Sequence, residues 1–243
     1  MPRRKPRSAI SDEARALALE KARQEEEKAA EKRKEIERPE GFQVAGGIKS
    51  KDRVQELAEV FTAEREVKAM LDLLGDTAYS MTARFLEPAC GNGNFLEEIL
   101  SRKLSGLAAA SHGQDDFEFR IIFALSSVYG IDISQENIDQ ARARMKALIV
   151  HSYSTGQNTW VPEDGFYDSV DYVLETNIVL GDSLNHAEKV IFVEYTSPSP
   201  MLFSQRFFTL NEIERGRRTP GDSPKPFKIV GARHYLDLNG SPN

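Results

Sequence analysis

The chain has 243 residues, of which 40% are hydrophobic, and carries a formal net charge of −6. This length suits one domain with an appendage. No apolar run approaches the ~20 residues of a membrane span, and the basic N-terminus lacks the apolar stretch of a signal peptide. The single cysteine, Cys90, excludes an internal disulfide and a multi-cysteine zinc site, and fits a reducing cytoplasm.

Residues 1–40 hold 12 Lys/Arg and 10 Asp/Glu, and the remainder holds 20 and 28. An acidic body of this kind cannot by itself make the many phosphate contacts of a DNA clamp. The tip, Met1-Pro2-Arg3-Arg4-Lys5-Pro6-Arg7, is basic and broken by prolines. Residues 11–38 are rich in Ala, Glu, Lys and Arg, which predicts a charged helix with no sustained heptad seam. Pro39 and Gly41 end it, and Gly46-Gly47 marks a second flexible point. The composition separates a charged helical extension and linker at 1–48, a folded domain at 49–215 and a tail at 216–243.

Across 51–74, Val54, Leu57, Val60 and Phe61 and then Val67, Met70, Leu71 and Leu74 mark amphipathic helix, with Thr62 placed to cap the second segment and Gly75 to end it. A strand is predicted at 84–86, a glycine-rich bend after it, and a helix at 94–103. A loop follows at 104–116 and an inserted helix at 117–127. A second strand runs over 128–133, a helix over 135–150, a polar loop to 164 and a helix over 166–174. Strands are then predicted at 177–180, 190–195 and 207–210, the last two as a hairpin across the Pro-rich 196–206 connection, with a further short strand within 227–238. Strands alternating with helices argue for an α/β fold with a mostly parallel sheet, covered on both faces. In such sheets ligands bind at the carboxyl ends of the strands, where the bend, Asp132 and Asp182 all fall.

The bend is Glu87-Pro88-Ala89-Cys90-Gly91-Asn92-Gly93-Asn94-Phe95. Its small residues allow close approach of a nucleoside ligand, and the helix beyond offers free N–H groups. Glu87 repels pyrophosphate but suits an ammonium group. The stretch also lacks the Lys-Ser/Thr ending of a P-loop and the third glycine of a dinucleotide fingerprint. Cys90 reads as a small residue that fits the bend, since no histidine pattern beside it would activate a nucleophile.

This stretch resembles the first S-adenosyl-L-methionine (SAM) motif of the N6-adenine DNA methyltransferases of restriction–modification systems. The resemblance implies a Rossmann-like methyltransferase fold that carries SAM on Glu87, Pro88, Ala89, Gly91, Gly93, Asn94 and Phe95. It implies that Asp132, with Ile133 beside it, takes the ribose hydroxyls, and that Asp182 takes the adenine N6 hydrogens. Val60-Phe61-Thr62 resembles the family's additional SAM motif, Val-Phe-Thr-Pro, with Ala63 in place of the proline, so Phe61 and Thr62 join the set.

The family's catalytic Asn/Asp-Pro-Pro-Tyr/Phe motif is absent. Thr196-Ser197-Pro198-Ser199-Pro200 stands nearest its place, without the amide or the aromatic ring. The resemblance spans roughly residues 50–210, the cofactor half of a methyltransferase, with no sizeable target-recognition region after it. It therefore implies a SAM-binding component of a site-specific DNA adenine methyltransferase that meets DNA through a second polypeptide carrying catalysis and target recognition. Two other readings stay open: a complete SAM-dependent enzyme acting on RNA, protein or a small molecule, and a non-catalytic SAM-binding or assembly subunit. A split enzyme would leave Ile191, Phe192, Phe203, Phe207 and Phe208 as an exposed apolar surface for the partner.

Overall fold

A computed structural model describes residues 62–154, 160–218 and 223–240. The expected charged helix and linker, the amphipathic segment at 51–61 and Phe61 itself lie outside these residues.

Helix α1 (Glu64–Asp72) begins at Ala63, whose extended backbone places its carbonyl under the Glu66 and Val67 N–H groups at 2.9 and 3.0 Å. Ala63, not Thr62, is therefore the N-cap. It has no side-chain oxygen, and Glu64 and Glu66 in the first turn face the positive helix end instead. The helix stops before Gly75, which opens a 3-10 turn (Gly75–Tyr79). Strand β1 (Phe85–Glu87) leads through the bend into α2 (Asn94–Leu104), whose Leu96, Ile99, Leu100 and Lys103 form one buried stripe. The expected loop before the inserted helix contains a short α3 (Leu107–Ala110), and that helix, α4 (Gln114–Leu125), starts earlier than its apolar pattern suggested.

Strand β2 (Val128–Asp132) is apolar and buried along most of its length, as a central parallel strand should be. Gly130 is there because a Cβ would stand 2.7 Å from Leu96 Cδ1 and 3.1 Å from Cys90 Sγ. Helices α5 (Gln135–Ser154) and α6 (Phe166–Asn177) then return the chain to β3 (Ile178–Leu180). In α5, Ile138, Ala141, Met145 and Ile149 are fully buried along one face.

The parallel sheet has the order β1-β2-β3, with Phe85 opposite Val128 and Gly130 opposite Ile178. The fold is thus α/β with a three-stranded parallel sheet and helices, compatible with a Rossmann-like fold. The sheet is smaller than expected, because the fourth strand does not extend it. β4 (Ile191–Ser199), β5 (Leu202–Thr209) and β6 (Lys228–His234) make a separate antiparallel sheet in that order. Helices cover one face of the parallel sheet. On the other, Tyr129 and Ile131 pack with Val190, Phe192 and Leu210, the Tyr129 and Phe192 rings meeting edge to face at 5.3 Å.

Residues 196–199 belong to β4 itself, and only Pro200 and Met201 turn the hairpin. Pro198 sits where the register shifts on an edge strand, which has no ladder N–H to lose there. Helix α7 (Leu210–Arg218), where only Leu210 and Ile213 are large and apolar, was not anticipated. The stretch set apart as a tail also joins the fold, since β6 pairs with β5, and Tyr235 and Leu238 are buried in the main core. The anticipated apolar patch is consumed within this chain. Phe192, Phe203 and Phe208 are buried, Phe207 is half-buried, and only Ile191 is 43% exposed. The Phe203 ring stacks on Phe123 and meets Phe119 at a tilt, both on α4.

Two buried charges tie these layers together. The Glu118 carboxylate, fully buried, accepts from Tyr153 Oη (2.7 Å), Tyr235 Oη (3.0 Å), Gln114 Nε2 (3.0 Å) and the Glu163 N–H (3.0 Å). Burial still pushes its carboxyl above the usual range. Glu118→Ala leaves these donors without their acceptor and should cost about 3 kcal/mol or more, measured by urea denaturation; a loss below about 1 kcal/mol would show that the donors find other partners.

Lys103, 2% exposed, donates to the carbonyls of Ser80 (2.5 Å) and Ala83 (2.7 Å) just before β1. Burial pushes its ammonium down to about 8, whereas an unfolded lysine holds its proton to about 10.4. Between those values the unfolded state binds more protons, so Lys103 makes folding stability rise with pH. Lys103→Met should flatten that rise, and an unchanged slope of stability against pH would contradict this.

Candidate cofactor site at the strand ends

The three parallel strand ends are stitched to one another. The Cys90 N–H donates to the Ile131 carbonyl at 2.8 Å, Gly181 N–H to the Asp132 carbonyl at 2.9 Å, and Ser183 Oγ to the Pro88 carbonyl at 3.1 Å. The bend, Asp132 and Asp182 therefore share one edge of the sheet.

Asp132 is the hub. Its Oδ2 accepts the Gly91 N–H at 2.9 Å, and its Oδ1 accepts the Ser134 N–H at 2.8 Å and Asn137 Nδ2 at 3.1 Å. A carboxylate offers about four acceptor positions, so room for about one further donor remains. Asn137 was not anticipated. Its signal is the Asp-x-Ser-x-x-Asn spacing, in which an acid turns the chain into a helix start.

Glu87 differs sharply. It is half-buried, and among the described residues its only hydrogen bond is a long one from the Ala89 N–H at 3.3 Å and it forms no salt bridge. Burial, partly offset by that N–H, raises its carboxyl above the usual range. Asp182, also half-buried as a residue, closes an Asx-type turn. It accepts the Leu184 and Asn185 N–H groups at 3.0 and 2.9 Å and Asn185 Nδ2 at 2.8 Å. The Asn185 side chain and backbone hold it below the usual range. Three apolar side chains stand exposed beside these acids: Ile133 (59%), Leu180 (50%) and Leu184 (92%). The Cys90 thiol is buried and pushed up to about 12, first by burial and then by Asp132 and Glu87, so it stays protonated and inert at neutral pH.

The remaining anticipated residues divide. Pro88 and Ala89 are exposed on the lip of the bend. Asn94 turns away from the crevice: its Nδ2 donates to the Thr62 carbonyl at 3.0 Å, and its Oδ1 accepts from Arg144 at 2.6 Å. Thr62 thus lies against the bend through its backbone. Arg144, also unanticipated, clamps Glu97 as well. Phe95 packs against the main core. Gly93, with φ +89°, has a close neighbour, but it is Ala141 of α5, whose Cβ would lie 2.8 Å from an added Cβ.

A cavity of about 480 Å³ opens to one side, between α1, α2 and α5. Its lining includes Lys68, Gln140 and Arg144, and of the anticipated residues only Asn94. Asn92 Oδ1, which also lines it, is the one buried side-chain oxygen or nitrogen among the described residues without a hydrogen-bond partner. No group of three or more described His, Cys, Asp or Glu residues could hold a metal ion. No described helix is long and apolar enough to cross a membrane.

Comparison with protein-family models, with curated proteins and with solved structures gives no match for this chain.

Removing the Asp132 carboxylate should loosen the bend. Asp132→Ala is expected to speed amide hydrogen exchange at Gly91 and to cost about 1–3 kcal/mol of stability. Exchange at Gly91 unchanged from wild type would show that the bend holds without it.

Proposed function

We propose that this chain is the SAM-binding component of a DNA adenine-N6 methyltransferase whose catalytic and target-reading half lies on a second polypeptide. The observation that carries this reading is the Glu87 carboxylate, half-buried at a strand end with one long hydrogen bond and no paired cation among the described residues. A desolvated acid left in this state favours an incoming ammonium, because pairing recovers the lost solvation. The residues present fit SAM. Glu87 receives the ammonium of the methionine part. Asp132 accepts one ribose hydroxyl with its remaining acceptor position while its other bonds keep the bend in shape. Asp182 accepts from the adenine amine, and Ile133, Leu180 and Leu184 offer apolar contact to the ring. Bound there, SAM supplies an electrophilic methyl group.

Two observations support a second polypeptide. Residues 196–199, where the resemblance would put a catalytic loop, lie within β4, where Thr196 and Ser199 pair with β5, and the chain contains no Asn-Pro-Pro-Tyr. β1 pairs only with β2 among the described residues, so the parallel sheet ends at the strand that carries Glu87.

The test is titration calorimetry of SAM into the full chain. Glu87→Gln should weaken binding at least tenfold, as loss of a charge-assisted bond implies. Wild-type affinity should be full above the raised Glu87 value and fall as pH drops through it, because protonation removes the negative partner. The Gln variant should lose that fall. Equal affinity for SAM in both proteins, with the same pH dependence, removes Glu87 from the site. DNA methylation should be poor until the neighbouring gene product is added; full methylation by this chain alone contradicts the split.

A further inference from the structure

Charge is segregated along this chain. Residues 41–200 hold 13 Lys/Arg against 24 Asp/Glu, whereas residues 201–243 hold 7 against 4. The second group gathers on β5, α7 and β6, and β6 is an edge strand with no strand partner but β5 among the described residues. Arg206 and Arg215 are paired with Glu194 and Glu212. Lys225, Lys228 and His234 are exposed and Arg233 is half-buried on and just before β6. Two large apolar side chains are exposed among these cations, Phe227 at 58% and Ile229 at 66%. The Phe227 N–H continues the ladder to the Phe207 carbonyl at 3.0 Å, and its ring leans on that of Phe207 with centroids 6.3 Å apart. Lys228 Nζ stands 4.7 Å over the Phe207 ring. The result is a ring braced on one side and open on the other, with cations to either side along an extended strand.

We infer that the β6 edge, from Lys225 to Arg233, binds single-stranded nucleic acid. The cations meet backbone phosphates, and a base stacks on the open side of Phe227, the combination that sequence-tolerant single-strand binding uses. Charge complementarity selects this partner. A flat anionic membrane would also face the acidic body of the chain, whereas one strand of nucleic acid follows the narrow basic edge and avoids it. The inference goes beyond the cofactor reading and does not rest on it, since none of these residues lies at the parallel strand ends.

Fluorescence anisotropy on the full chain decides it. The probe is a labelled oligothymidylate of about 16 nucleotides, at the upper site size of single-strand grooves. Competitors are a duplex of the same length and phosphatidylserine-containing vesicles. The joint variant Lys225→Ala with Lys228→Ala should weaken binding about tenfold and reduce the salt slope by about 1.4, roughly 0.7 for each lost phosphate contact. Phe227→Ala should weaken binding about fivefold or more and leave the salt slope unchanged, as loss of stacking without loss of charge requires. If Phe227→Ala lowers the melting temperature, the two exposed lysines decide alone. No binding of the oligonucleotide, binding indifferent to the lysine variant, or preference for the duplex or the vesicles overturns the inference. Failure of SAM to bind leaves it standing, and its own failure leaves the SAM site standing.

Discussion

The Asp132 carboxylate holds the candidate site in shape. It accepts from the Gly91 N–H of the bend and from Ser134 and Asn137 at the start of α5. One side chain thus fixes the first strand–helix junction against the second. The close packing of Gly93 on Ala141 works in the same direction, because it brings the start of α2 onto the flank of α5. The crevice is shaped before any ligand arrives, which lowers the ordering cost of binding.

The three acids at that edge are unequal for physical reasons. Asp182 is satisfied by its own turn, whose donors hold its carboxyl below the usual range, so it remains ionised at little cost. Asp132 is satisfied by the bend and the helix start. Among the described residues Glu87 has only the long Ala89 N–H bond to offset its burial. A protein retains such a group only where something outweighs its cost, and such groups concentrate at functional sites. The buried Glu118 makes the contrast clear. It too is raised by burial, but four donors surround it, and it joins α4, the end of α5 and the segment after β6 as a structural clasp.

Much of the parallel half was legible in the sequence. Apolar runs ending in an acid or a glycine located β1, β2 and β3 to within a residue or two, and helical periodicity located α2, α5 and α6. The strand-end rule alone brought Glu87, Asp132 and Asp182 to one edge. The second sheet was harder to read. Thr196-Ser197-Pro198-Ser199-Pro200 looks like a loop by composition, yet an edge strand tolerates its proline, and pairing with β5 keeps it extended. The phenylalanines of β4 and β5 read as an interface because the sequence does not show that α4 lies across them. Thr62 read as a cap because threonine is a good one, whereas Ala63 takes the position by backbone geometry. The bond from the Gly91 N–H to the Asp132 carboxylate was also hidden, since an acid at a strand end looks the same whether it faces a ribose or the bend's backbone.

The central claim is that the strand-end crevice, and not the side cavity of α1, α2 and α5, receives SAM. Backbone amide shifts recorded while SAM is titrated into the full chain test this most directly. The account predicts the largest changes at residues 87–93, 132–134 and 182–184. Changes confined to the cavity lining around Lys68, Gln140 and Arg144, or no changes at saturating SAM, would contradict it.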